Sequence, residues 1–221
     1  VNKNSHTEEN YLKAIFKLQE KDRAEVSTND IAKLVNTRAA SVTDMLKRLA
    51  DKNLVHYKKY QGVSLTDLGK KAAINIIRKH RLWESFLVEK LNFKWDEVHD
   101  IAEQMEHIES EELINRLNEF LGFPEYDPHG DPIPSKNGVF AGKKMNVLHD
   151  MPVGFMGNIS GVNEHSPAFL NHLDKINIKL GVQVKVEDRN DYDNSFWISI
   201  DSAEPVFISK EVAKNLLVFK K

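Results

Sequence analysis

The chain has 221 residues, 41% hydrophobic and 29% charged, the balance of an ordinary globular protein long enough for one large domain or two to three small ones. No apolar run approaches the roughly 18 residues of a membrane span, and the absence of cysteine excludes disulfides, zinc ribbons and iron–sulfur clusters. The net charge of −2 conceals a partition: residues 1–74 carry 14 basic against 9 acidic side chains, 75–141 carry 7 against 14, and 142–221 carry 10 of each.

A basic first third suits a polyanion and an acidic middle suits a cation. The opening Val1-Asn2-Lys3-Asn4-Ser5 lacks the apolar core of a signal peptide, so a cytoplasmic protein is expected. From Thr7 to Glu20, Tyr11, Leu12, Ile15, Phe16 and Leu18 recur at helical spacing. Ser27-Thr28-Asn29-Asp30 supplies N-cap chemistry for a short helix through Val35, which Asn36-Thr37 ends. A third helix is predicted from about Ala39 to Asp51, burying Val42, Met45, Leu46 and Leu49. Two β-prone runs then flank Lys58-Lys59-Tyr60-Gln61-Gly62, a basic hairpin.

Helix, short helix, turn, helix and hairpin make a winged helix-turn-helix. Arg38, Ala39, Ala40, Ser41, Thr43, Asp44 and Lys47 form the small, polar outer face of its third helix, suited to a major groove. Lys58 and Lys59 on the wing suit phosphates. A trihelical interaction module without nucleic acid is the blander reading.

A long helix is expected from Thr66-Asp67 to about Leu91, with His80 and Glu84 at i,i+4. The next, from about Asp96 to Glu109, is the most informative. At about 100° per residue, His99, Glu103, Glu106 and His107 share one stripe, while Val98, Ile101, Ala102, Met105 and Ile108 form a separate apolar face. Two carboxylates and two imidazoles so placed suit a divalent cation, and the oxygen-rich set favours Mn(II) or Fe(II) over a soft metal. The alternative is the solvated face of an amphipathic helix. A further helix holds Leu113, Ile114, Leu117, Phe120 and Leu121 and closes at Gly122. Three apolar-faced helices of this size predict a C2 dimer.

Tyr126 to Pro134 is a proline-stiffened loop in which Asp127 and His129 are further candidate ligands, or else an ordinary linker. Lys136 to Asp150 is the expected link to a small β domain with runs at 153–156, 182–186, 195–200 and 205–208, interrupted by a helix capped by Ser166 with Pro167 at its first position. The Asx-rich segment 188–194 lacks the glycine and terminal glutamate of a calcium loop, so a hairpin turn is expected.

Thr-Glu-Glu-Asn-Tyr-Leu (7–12), Ala-Ala-Ser-Val-Thr-Asp-Met-Leu-Lys-Arg-Leu (39–49), Leu-Thr-Asp-Leu-Gly (65–69), Arg-Lys-His-Arg-Leu (78–82), Glu-Gln-Met-Glu-His (103–107) and Asp-Pro-His-Gly-Asp-Pro-Ile-Pro (127–134) occur in that order. Over nearly its whole length the chain thus resembles the metal-dependent repressors of the diphtheria toxin repressor and manganese transport regulator family. The resemblance implies a mainly α fold with small β parts. Its domains would be a winged helix-turn-helix (1–74), a helical metal-binding and dimerisation domain (75–141) and an SH3-like, FeoA-type β-barrel (142–221).

By that resemblance Glu103, Glu106 and His107 fall at the principal regulatory metal site. Asn10 stands where the family usually has Asp or Met. Either it ligates through its carbonyl, or Glu9 or water substitutes, or the site is weakened. His80, Glu84 and His99 resemble the second site. Relatives complete it with the Asp127–His129 loop and an acidic residue of the C-terminal domain, for which Glu164, or else His165, is the candidate. Iron-selective members tend to carry Cys at the position of Glu103, so Mn(II) is expected first and Fe(II) second. The implied partners are double-stranded operator DNA and a second copy of the chain, with no membrane, no small-molecule substrate and no catalysis.

Two other classes compete. The inverted zinc-protease motif needs His where Glu103 stands, which argues against a hydrolase. A winged-helix sensor of a small organic molecule would bind its operator regardless of chelator.

Overall fold

The computed structural model describes residues 4–20, 25–58, 61–140, 142 and 145–219. They fold as two compact units: Val1–His80 with Glu103–Ile114 and Pro134–Phe140, and Arg81–Ala102 with Asn115–Ile133 and Ala141–Lys221.

In the first unit α1 (His6–Gln19) opens with a capping box in which Ser5 Oγ accepts the Glu8 amide and Glu8 accepts the Ser5 amide. Ser27 caps α2 (Thr28–Leu34), as the sequence predicts. Asn36, in the left-handed region at φ 48°, turns the chain into α3 (Ala39–Asp51). The wing is the antiparallel pair β1 (Val55–Lys58) and β2 (Gly62–Leu65). Leu12, Ile15, Ile31, Val42, Leu46 and Leu49 are fully buried at its centre. Thr66 Oγ1 donates to Asn53 O and accepts the Gly69 amide. That seats the start of α4 (Asp67–Leu91) so tightly that a Cβ on Gly69 would lie 1.9 Å from Leu54 O. This is the winged helix-turn-helix expected.

Two helices follow, α5 (His99–Met105) and α6 (Glu111–Phe120). The expected helix from Asp96 to Glu109 is shorter, because Lys94 to Glu97 is a turn held by the Glu97 carboxylate on the Lys94 amide, and Glu106 and His107 lie in the turn after Met105.

In the second unit a six-stranded antiparallel sheet has the order β3-β8-β4-β5-β6-β7, leaving β3 and β7 as edges. The strands are β3 (Asn146–Val147), β4 (Met156–Val162), β5 (Gln183–Arg189), β6 (Phe196–Ile200), β7 (Val206–Ile208) and β8 (Leu216–Phe219). Ser166 caps α7 (Pro167–Lys175) and Ser209 caps α8 (Lys210–Asn215). Leu148, Leu170, Leu173, Val184, Phe196, Ile198 and Val218 are fully buried in one core. The link expected to run to Asp150 ends sooner, since β3 pairs with β8 and Leu148, in a short 3₁₀ helix, fills that core. The strand expected at 153–156 begins only at Met156, because Gly154, at φ 84°, turns the chain. Segment 188–194 is the hairpin turn expected, its Asn190 and Asp193 side chains accepting the amides of Tyr192 and Ser195.

Candidate metal centres and DNA-facing surface

In the first unit α1 meets residues 103–107 through charged side chains. Glu106 is fully buried. Its Oε2 lies 2.6 Å from His80 Nδ1, and its two oxygens lie 2.7 and 2.8 Å from Lys13 Nζ. The same ammonium reaches Glu103 Oε1 at 2.5 Å. His80, Glu103 and Glu106 offer ligand atoms within 4.8 Å of one another. Glu9 Oε2 holds His107 Nδ1 at 2.6 Å, leaving Nε2 4.0 Å from Glu106 Oε1. A carboxylate so placed fixes the imidazole's orientation. His6 stacks on the His107 ring at 4.2 Å.

Asn10 Oδ1 is buried and has no hydrogen-bond partner among the described residues. An orphaned buried acceptor costs about 1–3 kcal/mol, and a donor or a cation removes that cost. The two carboxylates and the imidazole of Glu103, Glu106 and His80, whose ligand atoms lie within 4.8 Å of one another, have the chemistry that suits a hard or borderline divalent ion, and an amide oxygen such as that of Asn10 is of the same hard-donor type. The role of Lys13 escaped the sequence reading, as did that of Glu9 toward His107, since Glu9 is weighed there only as a ligand in place of Asn10. The signal was present: His6, Glu9, Asn10 and Lys13 follow the i, i+3, i+4, i+7 spacing of one helical stripe.

The second unit builds another cluster on Glu84, whose Oε1 is 3.3 Å from His99 Nδ1 and whose Oε2 is 3.5 Å from His129 Nδ1. Glu84, Asp127 and His129 are all buried, with ligand atoms within 4.8 Å of one another. The proline loop presents Asp127 and His129 because Asp127 Oδ1 accepts the amides of His129 and Asp131. Arg81 ties it down, donating to Pro132 O and pairing with Asp131 at 3.2 Å. Gly130 is required: at φ 87° a Cβ there would lie 2.1 Å from Ser160 O, where His129 O accepts the Val162 amide of β4.

The His129 ring is near-parallel to those of Trp95 and His165, and its Nε2 donates to Trp95 O at 2.8 Å. Burial, with Glu84 and Asp131 adding to it, pushes the Asp127 carboxyl up to about 7. Burial works against a charged His129, but Glu84 and Asp127 outweigh it and hold the imidazole up to about 9. The two C-terminal candidates differ in placement. His165 stacks on His129 at 4.7 Å, whereas Glu164 accepts the Ser166 amide.

On α3, Ala39, Ala40, Ser41, Asp44 and Lys47 are exposed, as is Arg38 before it. Asp44 pairs with Lys47 at 3.3 Å. Thr43 is half-buried and its hydroxyl donates to Ala39 O. Lys58 is exposed at the end of β1, and Lys59 lies outside the described residues. The sequence reading missed Arg48, exposed seven residues after Ser41 and so on the same face.

Family models match in three segments: the N-terminal DNA-binding domain of iron-dependent repressors at residues 4–63, their metal-binding and dimerisation domain at 66–135, and the FeoA domain at 146–220. A probable metal transport system membrane protein of Chlamydia trachomatis is 37% identical over 137 residues, 60% of this chain and 30% of that protein. The iron-dependent repressor IdeR of Mycobacterium tuberculosis is 34% identical over 58% of this chain and 55% of its own. The chain therefore spans about a third to a half of these curated relatives. A solved manganese-dependent transcriptional repressor in complex with manganese is 34% identical, with a TM-score of 0.87 over 97% of this chain and 100% of the other. The chain belongs to the iron-dependent repressor family, a family of transcriptional repressors with DNA-binding, metal-binding and dimerisation domains.

Proposed function

We propose that this chain is a metal-responsive repressor that binds double-stranded operator DNA as a homodimer when loaded with Mn(II), or secondarily Fe(II). It acts in the cytoplasm on metal-uptake genes, without catalysis and without a small-molecule substrate. The observation that carries this reading is the unpartnered Oδ1 of Asn10 on α1, one turn from the Lys13 that Glu103 and Glu106 hold. We assign the principal site to Asn10, Glu103, Glu106 and His107, with His80 beside Glu106. Glu84, His99, Asp127 and His129 form the second, to which His80 and Glu164 are the further candidates.

A divalent cation at the principal site supplies the positive charge that its carboxylates require. The chain's own residues make that charge matter to DNA. Glu9 orients His107, and Leu12 and Ile15 of α1 pack in one core with Val42, Leu46 and Leu49 of α3, so anchoring α1 biases the pose of α3. A tenfold preference for the DNA-competent arrangement requires only about 1.4 kcal/mol. The oxygen-rich, cysteine-free donors favour manganese, and the likeness in fold to a manganese-dependent repressor in complex with manganese supports that choice.

The domains proposed are 1–74 for DNA, 75–141 for metal and dimerisation, and 142–221 as the FeoA-type module. Exposed Leu91, Phe120 and Phe123, with Phe120 packed on Phe86 and under Lys90, supply an apolar surface for the dimer. No helix of the described residues is long and apolar enough to cross a membrane.

The test selects a duplex from a randomised pool with Mn(II) present, then titrates it by fluorescence anisotropy with Mn(II) and with chelator. Affinity should fall at least tenfold on chelation. Equal binding in both overturns the proposal and favours a sensor of something other than metal.

A further inference from the structure

Resting on the metal-responsive reading above, we propose that Lys13 is a tethered cation that holds the principal site in the metal-free protein and is expelled when a divalent ion binds. Its ammonium makes three charge-assisted contacts of 2.5 to 2.8 Å with Glu103 and Glu106. Those carboxylates are candidate metal ligands, and one of them is fully buried. A buried carboxylate without a counter-charge is strongly disfavoured. An ammonium on a neighbouring helix solves that problem in the apo state, and the side chain is 19% exposed, so it has an outlet to solvent.

The exchange is selective by charge. With Lys13 in place the two carboxylates and one ammonium sum to −1. A monovalent ion replacing the ammonium leaves the same −1 and forfeits three hydrogen bonds. A divalent ion brings the sum to zero and returns a strongly hydrated ammonium to water. The tether also gives the ammonium an effective concentration on the order of millimolar or higher, which keeps dilute cations out. Lys13 thus raises the concentration at which the site fills with Mn(II), and confines filling to ions carrying two charges. Positioned one turn from Asn10, it couples departure of the ammonium to ligation on the same face of α1.

Mn(II) affinity is measured by isothermal titration for wild type, Lys13→Met and Lys13→Arg, with thermal melting of each metal-free protein. Lys13→Met should bind Mn(II) at least tenfold more tightly and melt lower without metal, while Lys13→Arg stays near wild type. In wild type, mass spectrometry after brief treatment with an amine-acylating reagent should find Lys13 protected without metal and labelled several-fold faster with saturating Mn(II). This second measurement needs no variant to fold. Unchanged or weaker affinity in Lys13→Met, or Lys13 labelling that ignores Mn(II), overturns the tether. If Glu106→Gln binds Mn(II) as wild type does, the site assignment and the tether both fall. If Glu106→Gln loses binding while Lys13→Met is unchanged, the tether alone falls.

Discussion

At Asn10 the chain departs from the pattern of the family it resembles, and its environment turns that departure into a measurable quantity. The amide oxygen is buried without a partner, so it can serve a cation, but it brings no negative charge. Replacing it with aspartate adds a carboxylate one turn from the Lys13 that Glu103 and Glu106 hold. Repulsion then destabilises the apo cluster, and a divalent ion removes that repulsion on binding, so both effects tighten binding. Asn10→Asp should lower the Kd for Mn(II) by about tenfold, equivalent to about 1.4 kcal/mol, and shift operator binding to lower metal concentration. Isothermal titration beside Glu106→Ala decides it. Unchanged affinity in Asn10→Asp, with clear loss in Glu106→Ala, would remove Asn10 from the ligands. The neighbouring Glu9, one of the alternatives to Asn10 as ligand, has a partner already in His107 Nδ1; there it orients the imidazole.

Among the elements, those with a strong local signal were legible in the chain. Ser27 before Ile31, Ser166-Pro167 before Leu170, and the alternation through Tyr57 and Val63 each mark a cap or hairpin that packing merely endorses. What escaped was short or non-local. The six-residue α8 and the strand β8 that follows lack enough periodicity to declare themselves, and β3 is a strand only because β8 lies beside it. For the site, the helical wheel grouped His99, Glu103, Glu106 and His107. In the structure His99 pairs with Glu84, Glu103 and Glu106 share Lys13, and His107 pairs with Glu9. Spacing along one helix reports which side chains share a face, not which partner from another element meets each of them.

The exposed face of α3 and the wing, the surfaces proposed to meet DNA, carry the next prediction. Lys58→Ala, on the exposed wing, should weaken binding to all duplexes alike and reduce the slope of log affinity against log salt by about one. Ser41→Ala or Arg48→Ala on α3 should instead change which sequence is selected, by about 1–3 kcal/mol at the affected base pair. A Lys58 variant that altered sequence preference without changing the salt slope would reverse the assignment of wing and helix. Thr43→Val should be nearly silent, because its hydroxyl is already engaged with Ala39 O.

For the whole molecule, the buried titratable groups of the second unit make metal-free stability depend on pH in a direction that can be derived. His129 is held up to about 9 in the folded protein, against about 6.5 in an unfolded chain. Between those values the folded state keeps a proton that the unfolded state has lost, so stability is full below about 6.5 and is lost as pH rises through 9. Asp127, pushed up to about 7 mainly by burial, has the same sign in a lower window and is protonated in the fold where an unfolded aspartate is not. Lys79, held below its usual value by burial, works the opposite way at higher pH, so the readable quantity is the difference between wild type and His129→Gln. In chelator, the urea-unfolding free energy of wild type should fall relative to His129→Gln between pH 7 and 9, with a slope of up to about 1.4 kcal/mol per pH unit where one proton separates the two states. Saturating Mn(II) should reverse the trend, because ligation requires Asp127 and His129 without their protons and is therefore favoured as pH rises. Parallel profiles for wild type and His129→Gln in chelator would mean that His129 does not carry its charge in the fold, and the electrostatic account of the second cluster would have to be abandoned.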